Sequence, residues 1–524
     1  MSLPSRLSLG PLPDDVHSAL QGIAANPLVP GRNATPVAVE IPFTGATLGY
    51  VAAGDEGDVD EAIARARVAQ RQWARTGWAQ RRRVFLRFHD LVLRHRDLLT
   101  DIIQLETGKD RVSALDEVYD VAINARYYAR NAERLLADQR VPGALPVVTK
   151  TRVQRVPRGI VGQISPWNYP LALGISDAIP ALLAGNAVVA KPDSATPFTA
   201  LLAAGLLRRA GLPEHALQIV TGSGREVGAA LAERCDYLMF TGSTRTGKEL
   251  GRIAGGRLIG YSAELGGKNP MIVAADADLD RTIPAALSAC FSNSGQLCVS
   301  IERIYVEAGV YDEFERRFVA ATRAMPLGNT LAWNYQMGSL AGQQQLDTVQ
   351  RFVADAVDKG ARVLTGGDRV PELGPYFYTP TVLADVPEDA LLRTDEVFGP
   401  VVYLEKVPDL KQAVRRANDT RYGLNASVFA APRTAQSIAR RLQAGSVTIN
   451  DGYAAAWASI HAPSGGMKES GVGRRHGAEG IRKYTETRTV AEQRLVSMRG
   501  PEGVDRGHYA RVAATALRLG KHLL

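Results

Sequence analysis

Three side chains in this sequence have the chemistry to carry a group through a covalent thioester. Cys298 lies in FSNSGQLCVS, where small and polar residues let the chain turn tightly and leave a thiol reachable. A thiol becomes a strong nucleophile once ionised, and a helix N-terminus or a nearby cation favours that ionisation. A buried structural cysteine is the plainer alternative. Glu264 lies in SAELGGKNP. A carboxylate ahead of two glycines either caps a turn or, beside a thioester, activates water for hydrolysis. Asn168, in ISPWNYP, follows a strand end. Its amide either closes a turn, as residues near proline often do, or donates to a developing oxyanion. The other two cysteines read as structural. Cys290 sits in ALSACF at helical spacing among apolar residues, and Cys235 just precedes a predicted strand.

Two glycine-containing turns could hold an anion. FTGSTRTG, residues 240–247, reads as strand, then Gly-Ser, then a helix whose first N–H groups can face a pyrophosphate. TGSGREVG, residues 221–228, holds GxGxxxG, which is not the dinucleotide GxGxxG fingerprint. Lys191, in VVAKPDSATP, ends a strand on the edge where α/β sheets bind ligands. A solvated surface lysine is its plainer reading.

These groups must be positioned by a repeated strand–helix rhythm. Strands are expected at 159–164, 187–190, 217–220 and 237–240, with a helix over 178–183. A second series is expected at 270–273, 304–306, 363–365, 401–404 and 446–449. Strands alternating with helices imply parallel sheets with right-handed crossovers. The expected fold is therefore α/β with two domains that meet near residues 264–268. Upstream, helical periodicity runs from Asp58 to Asp138 as three or four amphipathic, arginine-rich helices. Residues 140–156 alternate and are β-branched (VVTKTRVQRV), which suggests a hairpin. Residues 1–35 are rich in Pro, Gly and polar side chains and are expected to drape over the surface. Beyond Gly500 the basic stretch HYARVAATALRLGKHLL reads as a helix packed on its own protein or on a neighbouring subunit, in preference to a membrane surface.

A chain of 524 residues needs more than one core. Its 62 basic residues are interspersed with 54 acidic ones, so the net charge of +8 reads as a solvated surface, and no nucleic-acid partner is expected. No apolar run is long enough for a transmembrane helix or a secretory signal. Three cysteines without CxxC pairing point to a reducing, cytoplasmic setting and to no zinc site.

Together these segments resemble the aldehyde dehydrogenase superfamily. PWNYP, AGNAVVAKPDSATP, FTGST, ELGGKNP, GQLC, EVFGP and YGLNAS occur in the family's order from about residue 36 to 496, and the interval from Glu264 to Cys298 also fits. CDYLMFTGS, YSAELGGKNPMIVA and SGVGRRHG are most similar to the actinobacterial succinate-semialdehyde dehydrogenases of the NADP type. The resemblance implies two Rossmann-type parallel-sheet domains and a β-hairpin oligomerisation arm. Residues 36–139 and 157–263 would bind the cofactor and 264–478 would carry catalysis. Residues 140–156 and 486–496 would form the arm of a homodimer or homotetramer, flanked by an extension at 1–35 and a basic tail at 500–524.

The resemblance also implies roles. Cys298 would be the nucleophile, Asn168 and the Cys298 N–H the oxyanion hole, and Glu264 the base for thioester hydrolysis. Glu396 would hold the nicotinamide ribose and Phe398 pack near the nicotinamide. Gly242 and Ser243 would face the pyrophosphate, and Lys191 would reach the adenosine ribose. Ile164, Ser165, Pro166, Trp167, Gly224, Leu265 and Gly266 complete the expected cofactor contacts; no metal is expected. NAD-preferring relatives often carry Glu where this chain has Ser194. Without that carboxylate a 2′-phosphate is not repelled, while Lys191 and Arg225 attract it. NADP is thus the expected cofactor, with NAD as the poorer alternative and Asp193 able to turn toward the same ribose.

Succinate semialdehyde is the expected substrate. However, the arginine that many such enzymes place after PWN(F/Y)P is Ser176 here, which leaves Arg126 as the proposed cation. Tyr127, Trp167, Trp457 and His461 instead suggest a pocket for aliphatic or aromatic aldehydes. A non-catalytic protein of the same fold and a thiol esterase are the remaining readings. The retained Cys298, Glu264 and Asn168 argue against the first and the cofactor segments against the second.

Overall fold

The strand–helix rhythm closes into two separate sheets in a computed structural model of the chain, which describes residues 13–25, 36–142, 149–494 and 500–521. The first sheet has six strands in the order Gly471–Val472, Gly260–Glu264, Tyr237–Thr241, Ile160–Ile164, Ala187–Lys191, Leu217–Ile219. All neighbours are parallel except the two-residue edge strand, where Gly471 pairs antiparallel with Glu264. Residues 264–478 therefore contribute one short strand to this sheet.

The three strands Tyr237–Thr241, Ile160–Ile164 and Ala187–Lys191 are buried at every position. Alternation along them separates two cores. Val161, Val188 and Ala190 face the helices that carry Leu182 and Leu206. Ile160, Ala187 and Val189 face Val59, Ala62 and Leu231. A sheet covered on both faces needs such continuous apolar strands.

The second sheet orders seven strands as Arg362–Thr365, Thr381–Ala384, Val401–Val407, Ile301–Glu307, Asn269–Val273, Asn425–Phe429, Ser446–Ile449. Only Arg362–Thr365 runs antiparallel, at one edge. The expected 140–156 hairpin appears as Gln139–Pro142 paired with Thr149–Pro157, its turn lying outside the described residues. Thr485–Gln493 adds a third strand along Thr149–Pro157. Of the arm segment 486–496, residues 495 and 496 also lie outside the described residues.

Three differences from the sequence reading stand out. A hairpin, Pro36–Ile41 with Ala46–Ala52, precedes the first long helix and had no counterpart in the expected elements. Within the stretch expected to drape, Asp14–Ala25 is a helix whose Val16 and Leu20 enter the core; residues 1–12 and 26–35 lie outside the described residues. The C-terminal helix Arg506–Gly520 has no buried residue against the described chain, and Leu517 and Leu519 are exposed. No described helix is long and apolar enough to cross a membrane.

Candidate active site

Helix Leu279–Phe291 ends in a 3-10 turn, Ser292–Gly295, just ahead of Cys298. Asn293 (φ 50°), Ser294 (φ 56°) and Gly295 (φ 71°) form a left-handed run that side chains rarely adopt. Such strain persists only where surrounding contacts impose it. Here the Asn293 N–H donates to Ser113 Oγ at 3.1 Å, and Ser294 Oγ donates to the Gly338 carbonyl at 3.1 Å. The turn delivers Cys298 half-buried, its carbonyl accepting from Asn269 Nδ2 at 2.8 Å. Gly267 lies against that carbonyl so closely that a Cβ would come within 2.6 Å of it.

Asn168 is buried four residues beyond the strand Ile160–Ile164. Its Nδ2 donates to the Gln296 carbonyl at 3.0 Å, which ties the amide to the Cys298 loop. Its own carbonyl accepts from Lys109 Nζ at 2.6 Å and from Asn293 Nδ2 at 3.0 Å. Lys109 is paired with Glu117 at 2.6 Å, and both side chains are wholly buried. The second Glu117 oxygen accepts the Leu171 and Ala172 N–H groups at 2.8 and 3.0 Å, at the start of helix Pro170–Ile175.

Glu264 ends the strand Gly260–Glu264 and shares one cavity with Cys298. Burial pushes its carboxyl up to about 7, against the pull of Arg475 and Lys483. Burial, reinforced by Glu264 and Glu396, pushes the Cys298 thiol up to about 12. Among the charged groups acting on Cys298, Glu264 and Glu396 each disfavour the thiolate more than Arg475 favours it. Asp116, Glu117 and Asp120 line the same cavity with Tyr169, Tyr453 and Trp457. Burial lifts both Asp116 and Asp120 to about 6.

Arg475 is the cation of the cavity. Its Nε donates to Asp177 at 3.1 Å, and among the described residues no hydrogen bond engages its terminal nitrogens. Burial works against its charge, but Asp177, Asp120 and Glu264 more than offset this, so its pKa is raised. Beside it, His476 is buried with both ring nitrogens unpartnered among the described residues, and burial holds it down at about 3. Cys235 and Cys290 are buried and unpaired, apart from this cavity.

The expected cofactor residues gather at the carboxyl ends of the first sheet, where α/β folds bind nucleotides. Ile164 pairs with Lys191 across two strands, and the Ser165 N–H donates to the Lys191 carbonyl at 3.1 Å. The Lys191 ammonium is buried, which lowers its pKa, and among the described residues it donates one hydrogen bond, to the Pro192 carbonyl at 2.9 Å. A buried ammonium with two unused donors fits an incoming ribose or phosphate oxygen. Ser194 Oγ donates to the Gly222 carbonyl at 2.9 Å, and Gly224 and Arg225 open an exposed turn nearby. Ser243 caps helix Thr244–Gly256 by accepting from Thr246 N–H, and the Gly242 N–H donates to the Glu264 carbonyl. The start of such a helix suits a pyrophosphate.

Glu396 reaches the same junction. It accepts the Gly267 N–H at 2.8 Å and lies against Gly266, where a Cβ would collide with it. Burial and Glu302 push its carboxyl up to about 8. The Leu265 N–H donates to Ser470, and Trp167, next to Pro166, packs edge-on against Phe398 at 5.6 Å.

Two sequence expectations about the pocket need correction. Arg126 is exposed and does not line the cavity, because its helix turns the acidic residues 116, 117 and 120 inward instead. Tyr127 and His461 pack on each other at 4.5 Å; of the suggested aromatics, Trp457 lines the cavity. Sequence reasoning missed Lys109, Glu117, Arg475 and His476.

The chain matches the model of the aldehyde dehydrogenase family over residues 28–490. It is 53% identical to a Mycolicibacterium smegmatis protein that carries the provisional name succinate-semialdehyde dehydrogenase [NADP(+)], over 93% of this chain and 94% of that one. It is 37% identical to the mitochondrial succinate-semialdehyde dehydrogenase of rice, over 90% and 89%. The NAD+ complex of aldehyde dehydrogenase from Bacillus cereus superposes with a TM-score of 0.86 at 32% identity, over 94% of this chain and all of that one.

Proposed function

The chain belongs to the aldehyde dehydrogenase family and oxidises an aldehyde, and we propose that it converts succinate semialdehyde to succinate with NADP+, NAD+ being the poorer oxidant. The observation that carries this reading is the shared cavity of Cys298 and Glu264, with the Asn168 amide tied to the Cys298 loop. Residues 36–139 and 157–263 bind the cofactor, and residues 264–478 carry the chemistry.

When bound, an oxidised nicotinamide dinucleotide supplies the hydride acceptor. Lys191, Ser194 and Arg225 hold its ribose and phosphate end, Gly242 and Ser243 its pyrophosphate. Glu396 and Phe398, with residues 164–167 and 265–266, hold the nicotinamide half. Cys298 starts as a neutral thiol, so its proton must leave as sulfur attacks the carbonyl carbon. Glu264, near neutrality and in the same cavity, accepts that proton and releases it to solvent. Asn168 Nδ2 and the Cys298 N–H hold the resulting oxyanion. Loss of hydride from the tetrahedral carbon leaves a Cys298 thioester. Glu264 then takes a proton from water as the water attacks the thioester, and Cys298 leaves as thiolate.

Arg475, with its terminal nitrogens uncommitted, supports a succinyl carboxylate in the cavity. Asp116 and Asp120 in the same cavity favour a second reading, a broad-specificity enzyme for neutral aliphatic or aromatic aldehydes, because they repel a carboxylate. A kcat/KM panel of succinate semialdehyde against neutral aldehydes, read by reduced-nucleotide absorbance with each nucleotide, separates the two. A neutral aldehyde preferred by more than about tenfold, roughly 1.4 kcal/mol of transition-state discrimination, removes the first reading.

The exposed outer strand Thr485–Gln493, with Val490 bare to solvent, supports assembly into a homodimer or homotetramer. A monomer in sedimentation at micromolar concentration would refute it. Three unpaired cysteines support a cytoplasmic setting, checked by fractionation.

A further inference from the structure

We propose that Lys109, through its buried pair with Glu117, is a positioning residue that fixes the Asn168 amide for the oxyanion. The inference rests on the role given to Asn168 above. Among the described residues no hydrogen bond, ion pair or ring contact links the Lys109 ammonium to Cys298 or to the expected cofactor residues. Its ammonium sits behind Asn168, 2.6 Å from that residue's carbonyl and 3.7 Å from the Tyr169 ring centroid.

The pair joins three separate pieces of chain. Lys109 lies in the turn between helices Arg96–Thr107 and Arg111–Leu135. Glu117 holds the first N–H groups of helix Pro170–Ile175, immediately after Asn168. Asn293, in the left-handed turn before Cys298, bonds the same Asn168 carbonyl and also Gln296. The Asn168 side chain closes the ring through the Gln296 carbonyl. Rotation of the Asn168 backbone would thus break contacts to Lys109 and Asn293 together, and the direction of its Nδ2 is set by the same ring.

Stability does not explain the pair. Two charges with no solvent exposure are expensive to bury, and an apolar pair of similar volume is often as stable or more so. A paired charge does fix geometry, because Lys offers a point donor that an apolar side chain cannot. Oxyanion donors contribute only when held where the negative charge develops.

The test uses the full-length chain with NADP+ and succinate semialdehyde. Lys109→Met, and the double variant Lys109→Met/Glu117→Leu that leaves no unpaired buried charge, are each measured three ways. The measurements are kcat with KM, the rate of Cys298 alkylation by iodoacetamide, and the NADP+ Kd by fluorescence titration. Alkylation needs the thiol but no oxyanion hole. The expected result is a fall in kcat of about tenfold or more, with the alkylation rate and the Kd preserved. An unchanged kcat in the double variant overturns the inference, and so does a loss of alkylation and nucleotide binding in step with kcat. Asn168→Ala is run alongside. If it leaves kcat intact, the oxyanion assignment falls and this inference with it. If it lowers kcat while the Lys109 variants do not, only the inference falls.

Discussion

The two walls that meet at Cys298 are built on opposite terms. On the Asn168 wall the buried charges close a ring: Lys109 and Glu117 neutralise each other, their remaining bonds end on backbone groups, and Asn293 Oδ1 alone in that ring lacks a partner among the described residues. On the Glu264 wall, among the described residues, Asp177 keeps one oxygen unpartnered and His476 both ring nitrogens. The turn wrapping that wall holds Gly465, Gly471 and Gly473 at positive φ, and a Cβ on Gly465 would crowd Glu264 Oε1 at 2.9 Å. A satisfied buried network is rigid, whereas orphaned polar groups mark where water or a ligand completes the structure. The contrast fits the division of labour. An oxyanion donor must stay fixed through both chemical steps, but a base must receive a proton, release it, and let water in.

The largest expected effect strikes the point where the walls meet. Cys298→Ala should lower turnover by about 10⁴-fold or more, because loss of the nucleophile leaves only the binding groups. A folded variant still producing reduced nucleotide at an appreciable rate would dissolve the comparison, as neither wall would then face the reacting sulfur.

Glu264→Gln should damage only one wall's function. Hydride loss would still deliver reduced nucleotide, and hydrolysis would stall. Stopped-flow traces should show a burst followed by a steady rate reduced by roughly 10²–10³-fold. Because Glu264 also accepts the thiol proton in this scheme, the burst should slow with a lesser penalty, since an ionised thiol forms more readily as pH rises. An unimpaired steady rate refutes the base.

Changes in Arg475 should be milder and readable in pH. Glu264 works as a carboxylate and its carboxyl lies at about 7, so hydrolysis should rise with pH through 7 and level off above it. Arg475 is the strongest charge opposing protonation of Glu264. Arg475→Gln should therefore move the limb to higher pH, with a loss at pH 7 of up to about tenfold per unit moved. A limb that stays in place would show that the open wall does not tune its base.

The sequence disclosed these walls unequally, and the reason is physical. Cys298, Glu264, Asn168 and Lys191 sit beside glycines, prolines or strand ends that mark a special backbone, so each could be singled out. Lys109 and Glu117 lie in helical surroundings where a charge normally faces water. Only the long-range approach of the Asn168 loop turns them into an interior pair. Arg475 stands in the basic run SGVGRRHG, which reads as solvated until residues 471–472 pair with the Glu264 strand and carry it inside. Arg126 belongs to the helix that lines the cavity but lies exposed on its outer face, and Asp116 and Asp120 occupy the inner one. The parallel strands were legible because burial on both faces writes continuous apolar runs. The hairpin over residues 36–52 was not, because its strands are largely exposed.

The smallest expected effect serves as a control on both walls. Ser194 is half-buried away from Cys298, its hydroxyl on the Gly222 carbonyl, close in sequence to the buried Lys191 ammonium. Ser194→Glu would set a carboxylate against the 2′-phosphate of NADP+ while leaving the ribose hydroxyls of NAD+ an acceptor. The ratio of kcat/KM for NADP+ over NAD+ should fall by about tenfold, near 1.4 kcal/mol. The ratio of burst amplitude to steady rate at saturating nucleotide should not move, since neither the oxyanion donor nor the base is touched. Were that ratio to change along with nucleotide preference, cofactor seating would be coupled to the base, and the two walls could no longer be treated as independent parts of the site.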